Sequence, residues 1–245
     1  MTYTPSLEEA KRLAKDGNLI PIYREVVADL ETPVSAYLKV AKPPYSFLLE
    51  SVEGGEQLAR YSFIGTDPYL VVKKGPGQPN GDGDPLIPVQ QELAKFRSVP
   101  LPGLPRFLGG AVGFVGYDAV RHFEPRVKAP TPDTLKLPEA VFLFTDTLLV
   151  FDHVKHRILV VSHARTDKGV EAGYKAATAK IDEMVSRLEQ PLKPPYRNYD
   201  AADGAAGQPT KSNRTREEFH HMVERSKEYI EAGDIIQVVV SQRLC

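Results

Sequence analysis

What the sequence has little of narrows its reading first. Its one cysteine, Cys245, is the last of 245 residues, so the chain has no disulfide framework and no thiolate metal cluster, as suits a reducing cytoplasm. Neither sign of charge is in surplus: 31 Lys and Arg stand against 32 Asp and Glu, a net charge of -1. That balance gives no electrostatic reason to bind nucleic acid or an acidic membrane surface. The N-terminus, MTYTPSLEEAKRLAKDG, has no apolar core of the signal-peptide kind, and no stretch approaches the ~20 apolar residues needed to span a bilayer. Residues 75–84 are almost all glycine, proline, asparagine and aspartate, but the chain has no GxxxxGK string followed by Ser or Thr, so they read as a solvated loop and not a phosphate cradle. These absences describe a soluble cytoplasmic protein with neither nucleic acid nor membrane as partner.

At 42% hydrophobic and 26% charged, the chain can bury one large core or two modest ones. Ser6 and Glu9 form a capping box ahead of a helix that Gly17 can end. LIPIYREVV at 19–27 predicts a strand, with Pro21 tolerable at an edge. Thr32 as N-cap and Pro33 at the first helical position open a helix through Val40. Tyr69 to Val72 is β-branched and apolar, and Leu86, Val89, Leu93 and Phe96 predict a helix. From Glu139, AVFLFTDTLLVFD, a turn at 153–157 and ILVVSH make an antiparallel hairpin with so little alternation that both faces should be buried. Tyr174, Ala177, Ile181, Met184, Val185 and Leu188 stripe a long amphipathic helix ending at Pro191. Residues 191–213 have too few apolar side chains to offset ordering, so they read as a linker and the main boundary. Beyond it, Thr215 and Glu218 cap a second helix, Gly233 can end it, and 235–240 predict a strand. The fold class is α/β (α+β), a largely antiparallel sheet with packed helices and an incomplete second domain.

The stretch from Ser46 to Asp67, SFLLESVEGGEQLARYSFIGTD, carries the most chemistry. A strand ending in Glu50 and Ser51 is followed by a polar excursion and a returning strand that opens with Arg60. Such a pair could present charged and hydrogen-bonding groups to a small zwitterion at the edge of a core, or could hold Glu50 and Arg60 in a solvated surface salt bridge. Glycines 109, 110, 113 and 116 alternate with apolar residues, which predicts a strand packed so closely on other backbone that side chains must be absent. Their spacing is GGxxGxxG, so the dinucleotide-binding pattern fails. Asp118, Arg121 and His122 read as groups that cap and solvate a helix start. His153, His156 and His163 have no carboxylate or cysteine at ligand spacing, so no metal site is expected there.

LLESVEGGEQLARYSFIG resembles the N-terminal signature of the anthranilate synthase component I family, and GGAVGFVGYDAVRHFE is similar to a second block of that family. TREEFHHMVERSKEYIEAGDIIQVVVSQR resembles the opening helix and strand of the chorismate-binding domain shared with aminodeoxychorismate synthase and isochorismate synthase. The resemblance implies an N-terminal regulatory domain over 1–190, a linker over 191–213, and the start of the chorismate-binding domain over 214–245. It implies a pocket for L-tryptophan, the feedback inhibitor, at Leu49, Glu50 and Ser51, with Ser51 the direct contact and Arg60 and Ser62 as further candidates. The complete enzyme would convert chorismate to anthranilate and pyruvate, with ammonia from a glutamine amidotransferase subunit and Mg2+ as cofactor. The Mg2+ ligands and every catalytic residue are expected outside this chain, which would then be an incomplete part of the enzyme and inactive alone. Two alternatives share these residues: aminodeoxychorismate synthase component I of the folate pathway, and a non-catalytic amino-acid-binding or subunit-binding module.

Overall fold

The structure, a computed structural model, describes residues 2–27, 29–50, 60–124, 126–127, 136–192 and 211–244. The chain divides into two compact units, Met1–Pro194 and Pro195–Cys245. The first contains two antiparallel sheets. Five strands lie in the order β1 (Leu19–Val27), β8 (Arg157–Arg165), β7 (Thr147–Asp152), β3 (Tyr61–Thr66), β2 (Ser46–Leu49). Three more lie in the order β4 (Leu70–Lys74), β6 (Ala140–Thr145), β5 (Gly110–Val115). Pro21 sits on β1, at the edge of its sheet, where its missing donor costs little.

Alternation along the strands divides the larger sheet into two faces. One face carries Ile22, Ile64, Leu149, Ile158 and Val160 and is covered by α4 (Val170–Leu188) through Ala177, Ile181 and Met184, with α1 (Leu7–Leu13) and α2 (Pro33–Val40) alongside. The other face carries Leu148, Val150, Leu159 and Val161, packed on Phe47, Tyr61, Phe63, Leu104, Phe107 and Leu108. β7 is buried at every position and β8 at all but its two ends, as a run without alternation predicts.

The capping boxes at Ser6 and Thr32 both form; in the second, Ser35 is the reciprocating residue. A third helix, α3 (Leu86–Leu93), begins where Asp84 accepts from the Leu86 amide. AVFLFTDTLLVFD, expected as one arm of a hairpin, is two strands in two sheets. Asp146 divides them, with β6 running into the smaller sheet and β7 into the larger. Apolar periodicity cannot report this break, because both halves are buried strand. The expected helix start at Asp118 is a short 3-10 helix, Tyr117–His122.

In the second unit, α5 (Arg216–Glu231) follows the Thr215–Glu218 capping box. Gly233, at φ +79°, ends it, donating to the Ile230 carbonyl while Asp234 donates to that of Tyr229. Residues 235–240, expected as a strand, form none: Ile236 and Val239 are exposed, and no ladder partner is present among the described residues. An apolar β-branched sequence becomes a strand only where another backbone completes its hydrogen bonds.

Gly113 pairs with Phe142, and a Cβ placed on it would lie 1.9 Å from the Val141 carbonyl oxygen. In an ordinary strand, alanine is favoured over glycine by roughly 0.5–1 kcal/mol. Here the sign is expected to reverse, with Gly113→Ala costing about 1–3 kcal/mol or more by urea denaturation. Gly116→Ala, whose Cβ would stand 3.1 Å from the Glu139 oxygen, should cost distinctly less.

Candidate functional site

Where the edge strand β2 of the larger sheet comes close to the edge strand β5 of the smaller one, the first unit forms an open, cleft-like cavity of about 750 Å3. Its walls are Leu48, Leu49 and Glu50 at the end of β2, Tyr61 and Phe63 from β3, Phe107, and Ala111 to Gly113 of β5. Phe63 and Phe107 meet edge to face at 5.2 Å between ring centroids, and Tyr61 lies 6.2 Å from Phe63. The glycines of β5 let its backbone come close enough to β6 to shape this wall. The result is an aromatic slot with a carboxylate at its rim, able to take a flat apolar ring that carries a cation.

The residues singled out in the sequence divide among different places. Leu49 and Glu50 line the cavity. Ser51 lies outside the described residues. Arg60 does not pair with Glu50. It forms a two-pronged bond to Asp152, Nε to Oδ1 at 3.0 Å and Nη2 to Oδ2 at 2.9 Å, and its guanidinium lies over the Tyr61 ring. The alternative of a solvated Glu50–Arg60 salt bridge gives way to a pair whose acid is 1% exposed, because β7 delivers Asp152 directly beside the start of β3. Ser62, on the opposite face of β3 from Tyr61 and Phe63, is buried and bonded to His153 Nε2 at 2.8 Å. Tyr61, Phe63 and Phe107 were not singled out in the sequence. The alternation of Tyr61 and Phe63 across Ser62 was the available signal, but only the approach of β5 shows what they face.

The three histidines examined for metal binding have separate roles: His153 meets Ser62, His156 occupies the turn at φ +49°, and His163 Nδ1 donates to the Asp146 carbonyl. Among the described residues, a different group, Asp82, His122 and Glu139, brings ligand-type atoms within 4.8 Å of one another. His122 Nε2 donates to Glu139 at 3.0 Å, and Arg121 is ion-paired to the same carboxylate. Arg121 and His122 thus hold Glu139 and do not merely solvate a helix end. This group does not suit Mg2+, a hard ion that prefers oxygen ligands in octahedral array, because one ligand is imidazole and a guanidinium occupies one of its two carboxylates.

Burial alone would raise the pKa of Asp152, but hydrogen bonds from Arg60 and the Lys155 amide, with the Arg60 and Arg157 charges, hold it below the usual value. A depressed folded-state pKa contributes stability that is present above the unfolded value of about 3.9 and lost as pH falls through the folded one. Asp152→Asn is therefore expected to destabilise the chain at pH 7, with the deficit shrinking as pH falls from about 4 toward 2. Urea titrations across that range measure it, and a deficit independent of pH would contradict the assignment.

Residues 44–245 match the family profile of chorismate binding enzymes. The chain is 39% identical to anthranilate synthase component 1 of Acetivibrio thermocellus over 257 residues, covering 99% of this chain and 51% of that protein. It is 41% identical to the probable anthranilate synthase component 1 of Schizosaccharomyces pombe over 249 residues, covering 100% of this chain and 49% of the relative. It thus spans about half the length of the curated relatives it matches. The crystal structure of anthranilate synthase component I from Streptococcus pneumoniae TIGR4 superposes with a TM-score of 0.59 at 27% identity, over 89% of this chain and 48% of that one. The chain belongs to the family of chorismate binding enzymes and is similar, along essentially its whole length, to anthranilate synthase component I.

Proposed function

We propose that this chain is the N-terminal, regulatory part of an anthranilate synthase component I and that the cavity between β2, β3 and β5 binds L-tryptophan. The complete enzyme would convert chorismate and ammonia, drawn from a glutamine amidotransferase subunit, to anthranilate and pyruvate in the cytoplasm. The observation that carries the reading is that Leu49 and Glu50, from the family-like LLES segment, line an aromatic cavity of about 750 Å3. That volume lies within the ~300–1,000 Å3 of small-molecule sites. The indole has Tyr61, Phe63 and Phe107 as its apolar walls, the ammonium has the Glu50 carboxylate, and the family resemblance gives Ser51 the remaining contact. Anthranilate synthase is favoured over its folate-pathway relative by the names of the proteins matched along the whole chain.

In this reading the chain supplies no catalytic residue, and the Mg2+ of the complete enzyme is held by residues outside it. Asp82, His122 and Glu139, the last ion-paired to Arg121, are the group of ligand-type atoms that the described residues bring together, and they do not suit Mg2+.

The chain has no tryptophan, so the indole fluorescence of added ligand reports binding without background. Saturable binding of L-tryptophan is expected, and Ser51→Phe should weaken it at least tenfold while leaving the circular dichroism spectrum unchanged. Full binding by that variant would remove the pocket from this cavity. With chorismate, Mg2+ and excess ammonium, the 245-residue chain is expected to form no fluorescent anthranilate. Turnover by the chain alone would overturn the claim that its residues are regulatory.

A further inference from the structure

A second cavity, of about 560 Å3, lies in the same unit at the far end of β8. Its wall is apolar: Leu93 and Phe96 at and beyond the end of α3, Tyr69 ahead of β4, and Leu104 and Leu108 from the segment leading to β5. Gly109 closes one side, where a Cβ would come within 3.1 Å of His163 Cε1 and 2.9 Å of the Thr145 carbonyl oxygen. The polar end is built by Asp146 with His163 and Arg165, the last two standing two residues apart and so on one face of the strand, with Cα atoms ~7 Å apart.

Neither side chain has its full complement of partners. Arg165 lies over the Tyr69 ring at 4.1 Å and the Phe96 ring at 4.8 Å, which fixes the plane of its guanidinium. Its guanidinium makes no hydrogen bond among the described residues, and the buried Nε has no partner. The nearest carboxylate oxygen, of Asp146, is 3.8 Å away. Asp146 is engaged elsewhere: both its oxygens accept from Lys180 Nζ, at 2.8 and 2.9 Å, and Oδ1 also accepts from Thr147. His163 is 6% exposed. Since a carbonyl only accepts, its Nδ1 carries the proton given to the Asp146 oxygen at 3.1 Å, and Nε2 is left as an acceptor. Burial holds the pKa of the imidazole below its usual value, which keeps that acceptor unprotonated near neutral pH.

Buried polar groups in folded proteins are almost always paired, and here the Arg165 Nε is buried without a partner, on a side chain otherwise 32% exposed and turned to the cavity beside the free acceptor of His163, which is what an occupant would complete. We propose that this cavity is a second ligand site, specific for a small aromatic carboxylate that bears an amino or hydroxyl group on its ring. The carboxylate takes the donors of Arg165, the matching planar fork. The ring lies among Phe96, Leu104 and Leu108. The amino or hydroxyl hydrogen goes to His163 Nε2. This site rests on its own geometry and not on the tryptophan reading, although the product of the proposed activity, 2-aminobenzoate, has the required chemistry.

The test uses the 245-residue chain and the intrinsic fluorescence of 2-aminobenzoate. Saturable binding is expected, with benzoate competing at least tenfold more weakly and aniline, which lacks the carboxylate, not competing. Arg165→Gln should weaken binding tenfold or more, whereas Glu50→Gln, in the first cavity, should leave it unchanged. In the unsubstituted chain, 2-aminobenzoate should shift the His163 Cε1–H resonance, a readout that does not depend on how any variant folds. No saturable binding at millimolar concentration, an unmoved His163 resonance, or a loss caused by Glu50→Gln in place of Arg165→Gln would each overturn the proposal.

Discussion

Burial of the β7–β8 hairpin on both faces is the constraint on which the rest of the first unit depends. Leu148, Leu149, Val150, Ile158, Leu159, Val160 and Val161 are each at most 1% exposed, and full burial of such a side chain contributes roughly 1.5–3 kcal/mol. A strand pair buried in this way requires a layer above and a layer below. Helix α4 supplies one; the Leu104–Leu108 segment and the neighbouring aromatics of β2 and β3 supply the other. Both cavities lie on the second side, where the cover is made of loops and strand edges.

Asp146 makes this arrangement possible. It is where the chain leaves the smaller sheet and enters the larger, and such a break leaves polar groups buried. They are answered locally. Lys180 from α4 and the Thr147 hydroxyl bind the carboxylate, while the Asp146 carbonyl accepts from both His163 Nδ1 and the His163 amide. With Asp146 so engaged, Arg165 is left leaning on Tyr69 and Phe96. The same device that joins the two sheets thus leaves donors exposed to the second cavity.

Much of this was legible in the chain. The capping boxes at Ser6, Thr32 and Thr215 are local hydrogen-bond patterns, and they form where their residues stand. β1, the β2–β3 pair and the β7–β8 turn follow from runs of β-branched residues bounded by polar ones. Leu49 and Glu50 could be named only through the resemblance of the LLES segment to a family signature, and they stand at the strand end that lines the first cavity. The partner of Arg60 could not be named, because Asp152 is 92 residues away and is brought beside it only by the β3–β7 register. Nor could a strand over 235–240 be decided from its residues, since a strand is a property of two backbones.

Sequence alone determined the local elements, the antiparallel class and the family likeness, because caps, periodicity and motif residues act over a few positions. Tertiary structure decided that one apolar run serves two sheets, that Arg60 meets Asp152, and that Tyr61, Phe63 and Phe107 face a common cavity. It also decided that His163 and Arg165 line the second cavity side by side, with the buried Arg165 Nε unpartnered. These facts depend on which distant backbones come together, and the packing energy that selects them is shared among side chains far apart in the chain.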